Sequence, residues 1–183
     1  SMKAHAALLG LALVVIEGAA CGWAHVPDGG SGTARRGPLH VTTTVSPITS
    51  IAENIGGTKV STTGIVPEGT NSHTFEPAPS VAKTLAGTDL LIVNGLFLEE
   101  PVMRLARASM RPGTPVLSLA DRAISREEWQ FDFSFPASGG RPNPHLWPDP
   151  ALSLKYAELI KDELSRLDGA NAPYYADNYR KFK

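Results

Sequence analysis

The sequence predicts an α/β fold in which a four-stranded parallel sheet carries helices on both faces. Short runs of β-branched and apolar residues alternate with segments of helical periodicity, and 17 glycines and 15 prolines separate them. Hydrophobic residues make up 42% of the 183 residues and charged residues 19%, which is typical of a globular domain. Strands that are joined through helices run parallel, and a parallel sheet is buried on both faces.

The first strand and helix are predicted directly from local pattern. Residues 39–45 are rich in β-branched side chains, which favour a strand. Ser46 and Pro47 then form an N-cap and first-turn pair. Apolar residues follow at positions i, i+3, i+4 and i+7, namely Ile48, Ile51, Ala52 and Ile55. Gly56 and Gly57 end the predicted helix.

The same alternation continues along the chain. Three further strands are predicted, at residues 59–65, 89–93 and 116–119. Four further helices are predicted: one over residues 81–86, one beginning at Pro101, one of about four to five turns beginning at Asp149 and Pro150 and ending at Gly169, and one over residues 174–183. Residues 120–149 are less regular, and within them an extended piece is predicted at residues 129–135.

The N-terminal segment is typical of an exported protein. An apolar run from Ala6 to Ile16 follows Lys3, which predicts a signal peptide over residues 1–20, although a buried helix is the alternative. The run is too short to cross a bilayer of about 30 Å. Cys21 resembles the lipidated cysteine of a bacterial lipobox, so a lipid anchor is expected, with an unmodified thiol as the alternative. Residues 21–38 are predicted to be a flexible linker.

The net charge and the cysteine content limit which macromolecules the chain can bind and which side chains can bind a metal ion. The net charge is −1, so no positive excess is available to neutralise a phosphate backbone, and nucleic acid is not expected as a partner. The single cysteine excludes an internal disulfide and a thiolate cluster. Histidines and carboxylates are therefore the ligands that the chain offers to a metal ion.

Two histidines follow strands of the predicted sheet. His73 comes after the second strand and His145 after the fourth, and loops at the carboxyl ends of parallel strands form ligand sites. His40 is predicted at the opposite edge, and two more histidines fall in the signal peptide and linker. Prolines flank both His73 and His145 and restrict their loops. Rigidly held neutral imidazoles suit Zn²⁺ or Mn²⁺, whereas the alternative is a pair of proline-rich turns that cap helices.

Four stretches together resemble the zinc and manganese receptors, or solute-binding proteins, of bacterial ABC importers. They are residues 41–57, residues 66–80 with the sequence around His73, residues 89–95, and residues 143–150 with the sequence Asn-Pro-His-Leu-Trp-Pro-Asp-Pro. The resemblance implies that His73 and His145 are the metal ligands of an N-terminal lobe. It also implies a periplasmic or lipid-anchored receptor that passes its ion to a membrane permease.

The resemblance also implies an incomplete site. Those receptors have two lobes joined by a long helix, and the second lobe supplies the remaining ligands. Here residues 39–170 correspond to the first lobe, and residues 171–183 to the start of the joining helix. We therefore expect a half-site with much weaker affinity, completed by water, by a neighbouring chain, or not at all. Exposure of Trp147 and nearby apolar residues is expected to favour self-association.

Zinc is favoured over manganese because of ligand softness and the general affinity order of divalent metals. Residues 120–142 contain no histidine, so they lack the histidine-rich loop of some zinc receptors. A zinc hydrolase with Glu76 as the base is disfavoured because the usual hydrolase and phosphate-binding motifs are absent. We therefore expect a binding protein rather than an enzyme. A surface lipoprotein that acts in adhesion or hands metal to another protein stays an alternative.

Overall fold

Four parallel strands form one sheet in the computed structural model, which describes residues 37–183. The strands are β1 (Leu39–Thr43), β2 (Val60–Gly64), β3 (Leu90–Val93) and β4 (Val116–Ser118). Their spatial order is β2-β1-β3-β4, and every adjacent pair is parallel. The predicted four-stranded parallel sheet is confirmed. The signal peptide and Cys21 lie outside the described residues, as does most of the predicted linker.

Helices cover both faces of this sheet, as predicted. They are α1 (Ser46–Gly56), α2 (Pro79–Ala86), α3 (Glu100–Ser109), α4 (Leu119–Ala123), α5 (Pro150–Leu167) and α6 (Ala172–Phe182). Strand β3 shows the two layers, because side chains alternate between the faces of a strand. Leu90 and Ile92 pack in a core with α1, α5 and α6, whereas Leu91 and Val93 pack with α2 and α3. Within residues 37–183 no helix is long and apolar enough to span a bilayer.

The ends of two helices test the capping predictions. Asp149 caps α5 as predicted, since its Oδ1 accepts hydrogen bonds from the backbone nitrogens of Ala151 at 2.8 Å and Leu152 at 3.4 Å. The prediction that Ser46 caps α1 is wrong. Val45 occupies the N-cap in an extended conformation and makes no side-chain cap, and Ser46 is already the first helical residue. The chain therefore enters α1 almost directly from β1.

The region after β4 differs most from the prediction. Residues 119–123 form α4, a short helix that was not predicted, and the extended piece predicted at residues 129–135 is wrong. Asp132 accounts for the difference. Its Oδ1 accepts hydrogen bonds from the backbone nitrogens of Ser134 at 2.8 Å and Phe135 at 3.0 Å, so the backbone is satisfied within a turn.

A buried carboxylate holds the loop after β3. Glu99 is 3% exposed and accepts hydrogen bonds from Thr44 Oγ1 at 2.7 Å, from the Asn94 nitrogen at 2.7 Å and from the Gly95 nitrogen at 3.1 Å. Burial raises the pKa of Glu99, and these hydrogen bonds oppose the rise. The carboxylate thus joins the end of β1 to the end of β3.

The same loop contains a left-handed segment. Gly95, Leu96 and Phe97 have φ values of 87°, 50° and 67°. Positive φ is unfavourable for the two residues that are not glycine and persists where the surroundings impose it. Glu99 supplies part of that restraint, and the hydrogen bond from the Leu96 nitrogen to Asp121 Oδ1, at 3.3 Å, supplies another part.

Helix α6 packs on the α1 side of the sheet. Tyr175 is fully buried, and Asn178 Nδ2 donates a hydrogen bond to the Ile55 carbonyl at 2.9 Å. The Tyr174 hydroxyl accepts a hydrogen bond from the Thr58 backbone nitrogen at 3.1 Å. The last predicted helix is therefore present and is held against the end of α1.

Candidate metal site

Two loops at the carboxyl edge of the sheet bring two imidazoles together. His73 lies between β2 and α2, and His145 lies between α4 and α5. Their Nε2 atoms are 3.2 Å apart, although 72 positions separate the residues along the chain. The rings therefore meet at the carboxyl edge of the sheet, where both loops were predicted to lie because the strands are parallel. Their role as metal ligands stays a prediction.

The distance between the two nitrogens suits one shared ion. Two nitrogens that each lie about 2.0–2.1 Å from a tetrahedral zinc ion are about 3.3 Å apart. The observed 3.2 Å is close to that value. Within residues 37–183 no group of three or more His, Cys, Asp or Glu side chains is placed to hold a metal ion. The described site therefore offers an ion two nitrogen donors.

The ring of His145 is fixed by its neighbours. Asn143 Oδ1 lies 2.7 Å from Nδ1 of His145 and also accepts a hydrogen bond from the backbone nitrogen of His145 at 2.9 Å. The other end of the amide, Asn143 Nδ2, donates a hydrogen bond to Asp132 Oδ2 at 2.6 Å. A hydrogen bond from the Phe135 backbone helps to lower the pKa of Asp132, which keeps it a carboxylate at neutral pH.

Aromatic rings lie beside the imidazole pair, of which His73 is exposed and His145 half-buried. The Phe135 ring lies 5.4 Å from the ring of His73 and 5.6 Å from that of His145, and Trp147 lies 5.1 Å from His145. Partial burial lowers the pKa of His73 and of His145, and in His145 the nearby His73 lowers it further. Both effects favour the neutral rings that bind metal ions.

The expected exposure of Trp147 is only partly met. Trp147 is half-buried and packs against the core and the ring of His145. In the described part of the chain the most exposed large apolar side chains are instead Phe97, Phe131 and Phe133, at 46%, 40% and 101%. The apolar surface thus comes mainly from the loops after β3 and after α4.

Buried hydrogen bonds attach the His145 loop to the sheet. Asn94, at the end of β3, donates from Nδ2 to the Pro144 carbonyl at 2.9 Å and accepts from the Tyr156 hydroxyl at 2.7 Å. Burial raises the pKa of Tyr156, so the hydroxyl stays a donor. These bonds hold the residue before His145 against both β3 and α5.

Two other polar residues considered from the sequence have partners elsewhere. Glu76 pairs with Arg104, with 3.7 Å between their charged atoms, and among the described residues it forms no three-residue metal-binding group with the imidazoles. His40 lies on β1, and its backbone nitrogen donates to Asp89 Oδ2 at 2.9 Å, close to the start of β3. Sequence reasoning missed Asp132, Asn143 and Phe135. The spacing Asn-x-His, present at both loops, is a sequence signal that could have identified Asn143.

The chain is similar in sequence to known proteins. The profile of a protein family described as zinc-uptake complex component A, periplasmic (ZnuA), matches residues 41–183. The manganese-binding lipoprotein MntA of Halalkalibacterium halodurans is 34% identical over 149 residues, which are 81% of this chain and 46% of that protein. The high-affinity zinc uptake system protein ZnuA of Bacillus subtilis is 27% identical over 170 residues, which are 90% of this chain and 52% of that protein.

The fold is also similar to those of solved protein structures. The Mn-bound periplasmic metal binding protein from Candidatus Liberibacter asiaticus has a TM-score of 0.68 and 28% identity, over 79% of this chain and 51% of that one. The Cd-bound form of that protein has a TM-score of 0.68 and 30% identity over the same shares. The chain spans about half the length of the curated relatives that it matches.

Proposed function

Because the chain belongs to the ZnuA family of zinc-uptake complex component A proteins, we propose that it captures a divalent transition metal outside the cytoplasm and delivers it to an ABC importer permease. The observation that carries this proposal is the approach of His73 Nε2 and His145 Nε2 to 3.2 Å at the ligand-binding edge of the sheet. These two nitrogens are the proposed ligands.

Capture begins with neutral imidazoles. An ion that reaches the edge of the sheet exchanges part of its water shell for two nitrogens. The aromatic rings of Phe135 and Trp147 lie beside His145, which is half-buried, and limit the water on that side of the site, which strengthens the attraction between nitrogen and cation. Water or further ligands complete the coordination sphere, because zinc sites have four ligands.

Zinc is the first choice for the ion and manganese the alternative. Two imidazoles without a carboxylate suit zinc better than manganese, which prefers oxygen ligands, and zinc also binds more tightly in the general affinity order. The names of the relatives support both metals, since one is a manganese-binding lipoprotein and another a zinc uptake protein. Titration of each ion into the same metal-free chain decides between them.

The proposed role is that of a receptor. The relatives described above are named as metal-binding or metal-uptake proteins, which supports binding rather than catalysis. A lipid on Cys21 would hold the chain at the membrane, close to its permease. Self-association through the exposed rings of Phe131 and Phe133 is a further part of the proposal, and sedimentation at increasing concentration tests it.

X-ray absorption on the zinc-loaded chain tests the ligand set. With one equivalent of Zn²⁺ bound, we expect nearest neighbours at about 2.0–2.1 Å and outer scattering from two imidazole rings. The control is the double variant His73→Ala with His145→Ala, in which the imidazole scattering should disappear. Equal imidazole scattering in the parent chain and the double variant would place the ion at other residues and contradict the proposal.

Metal uptake is expected to persist below pH 6.5. Burial lowers the pKa of both His73 and His145, so the rings stay neutral at a pH where an unperturbed histidine, with a pKa of about 6.5, is half protonated. As the pH falls further, protons displace the ion. The free energy of unfolding decreases in the same range, because the unfolded chain takes up these protons first.

Proton NMR of the metal-free chain measures this effect. The Cε1 protons of His73 and His145 should titrate with midpoints below that of a blocked Ser-His-Thr peptide in the same buffer. Midpoints at or above the value of the peptide would contradict the expected direction. Zinc affinity measured across the same pH range should follow the two titrations.

A further inference from the structure

A chain of hydrogen bonds fixes the proton on the His145 ring. A carboxylate accepts hydrogen bonds and cannot donate them, so Asp132 must face the NH₂ end of the Asn143 amide, as observed at 2.6 Å. The carbonyl end, Oδ1, then faces Nδ1 of His145 at 2.7 Å. Two acceptors at that distance would repel each other. Nδ1 therefore carries the proton, and the lone pair of the neutral ring is on Nε2.

We propose that Asp132 and Asn143 are positioning residues, which hold His145 in the Nδ1–H form with its Nε2 lone pair directed at the incoming ion. This inference rests on the proposed function, in which His145 is a metal ligand. Neutral histidine in water favours the opposite form, with the proton on Nε2, so an unrestrained ring would have to exchange its proton before it bound metal. Partners of this kind fix ring orientation and increase the basicity of the ligating nitrogen.

The carboxylate at the far end of the chain is itself held by backbone. Asp132 Oδ1 accepts from the Ser134 and Phe135 nitrogens, and the Asp132 nitrogen donates to the Phe135 carbonyl at 3.0 Å. The Asn143 nitrogen donates to the Gln130 carbonyl at 2.8 Å, which ties both ends of the segment together. The restraint on His145 therefore comes from a folded turn and not from two isolated side chains.

The two histidine loops provide a matched control. Each has an asparagine two residues before the histidine, and each asparagine Oδ1 accepts from the histidine backbone nitrogen, at 3.0 Å for Asn71 and 2.9 Å for Asn143. Asn143 also reaches the Nδ1 atom of its histidine, whereas the His73 ring bonds through Nε2. Asn71→Ala thus removes the same turn contact without touching a ring nitrogen.

Long-range proton–nitrogen NMR spectra of the ¹⁵N-labelled, metal-free 183-residue chain at pH 8 identify the protonated nitrogen of each neutral ring. In the parent chain and in Asn71→Ala, we expect the proton of His145 on Nδ1. In Asn143→Ala, we expect the proton to move largely to Nε2. Zinc affinity, measured by calorimetry, should fall about 10–100-fold in Asn143→Ala and stay at the parent value in Asn71→Ala.

Exchange of the two polar side chains tests the direction of the hydrogen bonds. Asn143→Asp alone places its new carboxylate against that of Asp132, and the repulsion should disturb the position of the His145 ring. Combined with Asp132→Asn, it restores a donor facing an acceptor, and both the Nδ1–H form and zinc affinity should recover. Circular dichroism verifies that each variant is folded.

The outcomes separate this inference from the proposed function. If Asn143→Ala leaves the proton of His145 on Nδ1, the positioning role is wrong, whatever happens to zinc affinity. If the proton moves but zinc affinity does not change, the positioning role in capture is also wrong. If the parent chain itself binds no zinc, the proposed function fails, and the NMR result still decides whether Asn143 sets the protonated nitrogen.

Discussion

Zinc binding is expected to weaken by about two orders of magnitude in His145→Ala and by a similar factor in His73→Ala. A four-ligand zinc site has an apparent binding free energy of about 10–16 kcal/mol, or roughly 3 kcal/mol for each ligand, and each 1.4 kcal/mol changes Kd tenfold. Loss of either imidazole converts two-point attachment into attachment through a single nitrogen. Calorimetric titration of Zn²⁺ into each metal-free variant measures the change.

His40→Ala is the control for this prediction. His40 is exposed on β1, at the edge of the sheet opposite the imidazole pair, and its backbone nitrogen donates a hydrogen bond to Asp89. This variant should bind zinc as the parent chain does. The double variant of His73 and His145 should bind zinc more weakly than either single variant, because the remaining nitrogen ligand is lost as well. Parent-like affinity in both single variants would contradict the assigned site.

Glu99→Ala is expected to lower the free energy of unfolding by about 3 kcal/mol. The substitution leaves three donors near the Glu99 position without their acceptor, the Thr44 hydroxyl and the Asn94 and Gly95 nitrogens. Each unsatisfied buried donor costs about 1–3 kcal/mol, part of which is offset because a buried charge is removed. The left-handed segment from Gly95 to Phe97 also loses a restraint. Urea unfolding followed by circular dichroism measures the loss.

Glu100→Ala is the matched control, since Glu100 is the next residue in the chain and is exposed. Its carboxylate pairs with Arg141 at the surface, and such pairs contribute at most about 1 kcal/mol. A loss as large as that of Glu99→Ala would mean that the buried hydrogen bonds are not the cause. Unchanged stability of Glu99→Ala would contradict the prediction directly.

Glu99→Gln adds a dependence on pH. Burial raises the pKa of Glu99 in the folded state above its unfolded value, so the stability gained from its protonation is fully present below about pH 4 and is lost as the pH rises. Glutamine does not titrate. The stability of Glu99→Gln relative to the parent chain, measured by urea unfolding, should therefore rise as the pH increases from about 4 towards neutral.

The sheet could be predicted because its strands are marked by local composition. Residues 90–93 are Leu-Leu-Ile-Val, buried on both faces, and such a run between two predicted helices indicates a central parallel strand. The loop after α4, in contrast, was predicted wrongly from the same kind of local pattern. Trp129, Phe131, Phe133 and Phe135 alternate with other residues as they would in a strand, yet Asp132 bonds the local backbone and a turn forms.

The position of the candidate site could be predicted from the sequence, but its geometry could not. Chain order placed His73 and His145 at the same edge of the sheet, because each follows a strand. Nothing in their local sequence showed that the Nε2 atoms come within 3.2 Å of each other or that Phe135 lies beside both rings. Glu99 and Glu100 are identical neighbours in the sequence, and the tertiary fold alone makes one a buried acceptor and the other a surface residue.

The strand order also determines when the imidazole pair can assemble. His73 follows β2 and His145 follows β4 and α4, and β2 and β4 are the two outermost strands of the sheet. Both outer strands must therefore dock on the β1–β3 centre before the nitrogens meet, which requires pairing between distant parts of the chain and is intrinsically slow. If both rings bind one ion, as proposed, that ion recognises only the completed fold and would slow unfolding without nucleating early structure.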